Sequence, residues 1–152
     1  MGTKDPYYLA ADPGLHTGWA IWDEKGECLD FGTTHDYAEL HVKLESLPKD
    51  TIKVVIIEDY TLWFHKAQKQ AGSKMPAPKA IGQLETFARQ WGAQIVKQNS
   101  SIKGIAERLT GKYTKDPKTG RATMPKIQTH VIDAINHGEY YLIQNKIKEM
   151  TL

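Results

Sequence analysis

Apolar positions along this chain follow two periods, and the change from one to the other marks out the elements. The run Tyr7-Tyr8-Leu9-Ala10-Ala11 ends in Asp12, the turn Pro13-Gly14 follows, and a second apolar run, Trp19-Ala20-Ile21, begins after Thr17-Gly18. This pattern predicts strand, turn and antiparallel strand, with Asp12 at the carboxyl end of the first. Gly14 is expected to supply a positive φ in the turn, and Gly18 to leave the backbone open to a bulky group such as a phosphate. A third short strand, 26–32, is entered through the turn Asp23-Glu24-Lys25-Gly26 and completes an antiparallel meander.

Helical spacing takes over from His35 to Leu47, with Leu40, Leu44 and Leu47 on one side and Pro48 as the stop. The stretch Ile52-Lys53-Val54-Val55-Ile56-Ile57-Glu58-Asp59 is β-branched and continuous, as a central strand buried on both faces should be. A strand–helix–strand unit crosses over right-handed, so this strand should run parallel to the first. A helix is predicted over Lys79–Trp91 from Ile81, Leu84, Phe87, Ala88 and Trp91, and a fifth strand over Ala93–Lys97. Gly82 lies within that helix at a cost of about 1 kcal/mol relative to Ala. It is therefore expected to admit another helix, of this chain or of a partner copy. Ser100 or Ser101 would cap a short helix through Ile102, Ile105, Ala106 and Leu109, and a last amphipathic helix spans about Thr129 to Lys148.

The composition, with 152 residues, 40% hydrophobic and 25% charged, is that of one ordinary globular domain covering 1–152. No apolar stretch is long enough for a membrane span and the N-terminus has no signal-peptide core. The lone Cys28 excludes an internal disulfide and a cysteine zinc site, and a cytoplasmic home is expected. Charge alters this plain picture. Residues 1–60 carry five Lys/Arg against twelve Asp/Glu, and residues 61–152 carry fifteen against six. A basic second half suits a polyanion such as nucleic acid, with some acids of the first half reserved for metal.

Candidate chemistry follows from the strand ends. If the strands ending in Asp12 and in Glu58-Asp59 are neighbours, they lie roughly 4.8 Å apart and their carboxylates can share cations. Alternation lets only one of Glu58 and Asp59 point inward, and the sequence does not choose between them. Tyr60, Trp63, Phe64 and His65 are followed by Lys66, Lys69 and Lys74, a mixture suited to stacking on unpaired bases with phosphate contacts alongside. One of Trp63 and Phe64 is expected to be core and the other exposed. The segment Thr110–Lys126 is a polar loop whose Lys112, Lys115, Lys118 and Arg121 could grip DNA. On the last helix His130 and Asp133 share a face, with His137 one turn further on.

The order of these elements is that of the ribonuclease H-like fold: α/β, a five-stranded mixed sheet flanked by helices. Within that fold the chain resembles the RuvC family of Holliday-junction resolvases, including its small phage-encoded members. The matching residues are Ala11-Asp12-Pro13-Gly14 with Thr17-Gly18, then Val55-Ile56-Ile57-Glu58, then Ile81-Gly82-Gln83, then His130 and Asp133-Ala134. The resemblance implies that Asp12, Glu58 and Asp133 bind two Mg2+ ions per site, with Mn2+ able to substitute, and that Asp12 bridges them. It implies metal-dependent hydrolysis of four-way DNA junctions by a homodimer with no membrane association. The dimer would form through the helix at 79–91, at Ile81, Gly82, Leu84 and Glu85. His130 stands where many members have a fourth carboxylate. It would bind the second metal, a phosphate or a water, or take a proton from the attacking water. Rival readings are a flap or RNA–DNA hybrid nuclease of the same fold, a catalytically inactive junction-binding module, and a nucleotide-binding fragment of the actin/sugar-kinase type.

Overall fold

A computed structural model describes residues 5–48, 50–59, 76–99, 102 and 129–147, with 59, 76, 77 and 129 described by backbone alone. The expected short helix after Ser100–Ser101, the aromatic–lysine segment and the basic loop lie outside these residues.

Three strands, β1 (Tyr8–Asp12), β2 (Thr17–Trp22) and β3 (Cys28–Thr34), form the antiparallel meander. The loop between β1 and β2 is closed by Thr17, whose hydroxyl donates to the Gly14 carbonyl at 3.0 Å and lies 3.3 Å from the Gly14 N–H. Gly14 does not take a positive φ, contrary to expectation; among the described glycines only Gly26 and Gly92 do. The Thr17 side chain holds this loop, so no left-handed residue is needed. The next turn does use one. Gly26 has φ 91°, and the Asp23 carboxylate accepts from the N–H groups of Lys25 and Glu27.

Helix α1 (Tyr37–Ser46) starts two residues later than its apolar spacing suggests, because Asp36 is its N-cap. The Asp36 carboxylate accepts from Glu39 N–H at 2.7 Å, and the Glu39 carboxylate reaches back to His35 N–H at 3.2 Å. Strand β4 (Val54–Asp59) then pairs parallel with β1, Leu9 opposite Val55 and Ala11 opposite Ile57. Helix α2 (Pro76–Trp91) begins three residues before the predicted start. Pro76 and Pro78 fall in its first turn, which has no internal partner for its N–H groups and so tolerates proline. Gly92, at φ 68°, ends the helix, and Ala93 N–H bonds to the Ala88 carbonyl at 2.8 Å. Strand β5 (Gln94–Asn99) pairs parallel with β4, and α3 (Thr129–Gln144) is the last described element. The five strands lie in the order β3-β2-β1-β4-β5. Among the described residues no helix is long and apolar enough to cross a membrane.

Strand alternation divides the core into two layers. Leu9, Ala11, Trp19, Ile21, Val55 and Ile57 face α1 and α2, meeting Leu40, Leu44, Leu84, Phe87 and Trp91. Tyr8, Ala10, Ala20, Trp22, Val54 and Ile56 face α3, meeting Val131, Ile132, Ile135 and Leu142. Two glycines let α3 lie close to the sheet. A Cβ on Gly138 would overlap the buried Trp22 ring, and one on Gly18 would overlap the His130 carbonyl. What approaches Gly18 is therefore the first turn of α3 rather than a phosphate.

Helix α2 corrects two expectations about its packing. Nothing lies within 4 Å of a Cβ built on Gly82, so no helix among the described residues packs there. Leu84, expected at a partner interface, is buried in the chain's own core. Gln83 ties α2 to α1 by donating to the Tyr37 carbonyl at 2.8 Å. Glu85 pairs within the chain, with Arg89 at 3.1 Å and Lys97 at 3.0 Å.

A candidate metal centre at the carboxyl ends of two parallel strands

Asp12 is the last residue of β1 and shares its face with Tyr8 and Ala10, the face that α3 covers. Glu58 lies on the same face of β4, two and four residues beyond Ile56 and Val54. The alternation left open in the sequence is thus settled for Glu58, which is fully buried. Asp133 descends from the first turns of α3. Each of the three carboxylates offers one oxygen within 4.8 Å of the others, and all three residues are buried.

Three acids enclosed this tightly disfavour a full set of negative charges. Burial is the main cause that pushes the Asp12 carboxyl up, to about 7. The hydrogen bond from His130 opposes this, while hydrogen bonding with Glu58 and repulsion from Glu58 and Asp133 add to it. A divalent cation would relieve the crowding, and an all-carboxylate donor set suits a hard ion such as Mg2+ or Mn2+. The residues present therefore fit the metal that the sequence implies.

His130 stands at the mouth of this cluster. Its Nδ1 lies 3.1 Å from Asp12 Oδ2, and its side chain is 47% exposed while Asp12 is 2% exposed. With Nδ1–H committed to a carboxylate, Nε2 is the basic nitrogen of the neutral ring. Two further imidazoles gather at this rim. The His16 ring is 6.4 Å from that of His130 and 5.6 Å from that of His35. Nothing local in the chain joins these three, since the rim forms only when the β1–β2 loop, the end of β3 and the start of α3 meet.

The second histidine of α3 lies deeper. His137 Nε2 is 3.6 Å from Glu58 Oε1, both side chains being fully buried, and His137 Nδ1 is 2.8 Å from Gln98 Oε1 on β5. Sequence spacing places His137 one turn beyond Asp133, but neither Glu58 nor Gln98 can be inferred as its neighbour without the sheet order. The structure thus brings Asp12, Glu58, His130 and Asp133 together as the sequence suggests. Tyr60, Trp63, Phe64, Lys66, Lys69, Lys74, Lys112, Lys115, Lys118 and Arg121 lie outside the described residues.

The sheet order, the parallel β1–β4 pair and the helix carrying the last acid define a ribonuclease H-like fold of the RuvC type. Comparison with solved structures agrees. RuvC of Thermus thermophilus in complex with a Holliday junction substrate matches with a TM-score of 0.61 at 14% identity, over 95% of this chain and 97% of that chain. A second Thermus thermophilus RuvC structure matches with a TM-score of 0.58 at 16% identity, over 95% of this chain and 99% of that one. At such identities the likeness is one of fold. No family model and no curated relative matches the chain.

Proposed function

We propose that this chain is a metal-dependent endodeoxyribonuclease that resolves four-way DNA junctions. The observation that carries the reading is the convergence of Asp12, Glu58 and Asp133, from three separate elements, into one buried cluster. A RuvC-type fold and a basic second half of the sequence support a branched-DNA substrate, the substrate named for the Thermus thermophilus complex.

In this reading Asp12, Glu58 and Asp133 hold two Mg2+ ions, with Mn2+ able to substitute. Bound there, the ions supply charge stabilisation at the phosphoryl oxygens and ease the ionisation of water. The chain's own groups do the rest. His130, fixed through Nδ1 to Asp12, presents Nε2 at the mouth of the site and takes the proton of the attacking water. The aromatic–lysine segment and the basic loop hold the opened junction. Two symmetric cuts call for two such sites, so the working form is a C2 homodimer, formed through the face of α2 around Ile81 and Gly82.

The test is a labelled synthetic four-way junction incubated with Mg2+ or Mn2+ and resolved on a denaturing gel beside flap, duplex and RNA–DNA hybrid substrates. Symmetric nicks in the junction are expected from the native protein. Asp12→Asn, Glu58→Gln and Asp133→Asn should each lose at least about a hundredfold in rate, equivalent to roughly 2.7 kcal/mol and no less than the loss of one electrostatic contact. Full activity in any one of them removes that residue from the mechanism. Preference for flap or hybrid substrates would replace the junction assignment.

A further inference from the structure

His137 has no part in the chemistry proposed above, yet it is a fully buried imidazole directed at one of the three acids. Its ring bridges two strands: Nδ1 lies 2.8 Å from Gln98 Oε1 on β5, and Nε2 lies 3.6 Å from Glu58 Oε1 on β4. In the parallel register Glu58 is opposite Gln98, so both partners stand at the same level of the sheet and face α3 together. His137 also lies four residues after Asp133, on the same side of α3. One helix thus supplies both an acid of the cluster and a ring behind a second acid.

We infer that His137 is a positioning residue: anchored by Gln98, it holds the Glu58 carboxylate in the orientation that metal binding requires. The inference rests on the nuclease reading and adds to it a support for the metal ligand. The chemistry of the contact sets the tautomer. Facing a carboxylate favourably requires a proton on Nε2, so in the neutral ring Nδ1 must accept. Gln98 can meet that need by turning its amide end for end, which places its NH2 where the oxygen now stands with no change of shape. At 3.6 Å the approach to Glu58 is electrostatic contact rather than a full hydrogen bond. A simple core filler would not need a polar ring here. The layer between α3 and the sheet is otherwise built largely from apolar side chains, among them Ile56, Ile132 and Ile135, and a leucine would bring no polar atom to satisfy.

The test compares His137→Leu, His137→Gln and Gln98→Leu with the native protein. Mn2+ affinity is read by electron paramagnetic resonance without DNA, and folding by thermal melts in EDTA. Partners behind a metal ligand usually change affinity by roughly ten- to a hundredfold. We expect His137→Leu to weaken Mn2+ binding by at least about tenfold while melting no lower than the native protein. His137→Gln keeps an N–H near the position of Nε2 and should stay within about threefold of native, as a fraction of that range. Gln98→Leu, at a half-buried site, should weaken binding in the same direction and carries the test alone if His137→Leu does not fold. Native Mn2+ affinity in both leucine variants overturns the inference, as does equal loss in His137→Gln and His137→Leu. Failure of the native protein to bind Mn2+ or cut any DNA removes the nuclease reading itself, and this inference with it.

Discussion

At Asp12 the cost of enclosing a charge becomes a dependence of stability on pH. Its carboxyl is raised from 3.8 to about 7 in the folded chain, so the folded state binds its proton more tightly than the unfolded state does. Without metal, this group's stabilisation is complete below its unfolded value near 4 and is lost as pH rises through about 7. The loss is on the order of a few kcal/mol, discounted because the neighbouring acids share it. Urea melts in EDTA should therefore show lower stability at pH 8 than at pH 5. Asp12→Asn should flatten that difference while removing cleavage, and Mg2+ should recover native stability at pH 8 by binding the folded state alone. Equal pH dependence in the native protein and Asp12→Asn would mean that another group carries the effect.

Among the elements, α3 depends on a position in β2. A side chain at residue 18 would collide with the backbone of His130 and Val131, which cannot swing aside as a flexible side chain could. Gly18→Ala should therefore lift the start of α3, cost about 1–3 kcal/mol in urea melts, and cut activity through displacement of His130 and Asp133. Native cleavage with reduced stability would show that the shift stops short of the acids. The Gly18 case also indicates how far pattern reading reaches. Periodicity identified the five strands and the three described helices, because alternation and helical spacing are local properties. It placed Asp12, the Glu58-Asp59 pair and the His130–Asp133 helix face as candidates because strand ends and helix faces are local as well, while the choice of Glu58 and its grouping with Asp133 came from the family resemblance. It could not decide what approaches Gly18, why Gly14 needs no positive φ, or which residues surround His137. Those answers depend on contacts between segments far apart in sequence.

At the scale of the whole molecule, the proposed homodimer can be separated from the fold. Gly82 is exposed and has open space around a built Cβ, so a larger residue there meets nothing in its own chain. In an exposed helix interior Gly costs roughly 0.8–1 kcal/mol relative to Ala, and Arg ranks just below Ala as a helix former. Gly82→Arg should therefore melt at or above the native temperature while sedimenting as a monomer and losing paired cuts in the junction. A dimer of native affinity in this variant would place the interface elsewhere.

The helix that supplies Asp133 also supplies Val131, Ile132, Ile135 and Leu142, the apolar cover for one whole side of the sheet. A nascent polypeptide still lacking that helix holds two acids of the set and an uncovered greasy surface. It has neither the third acid nor His130. In the proposed nuclease reading, a half-made copy on the ribosome therefore lacks a complete metal-binding set, and the acid that completes it arrives with the helix that covers the sheet.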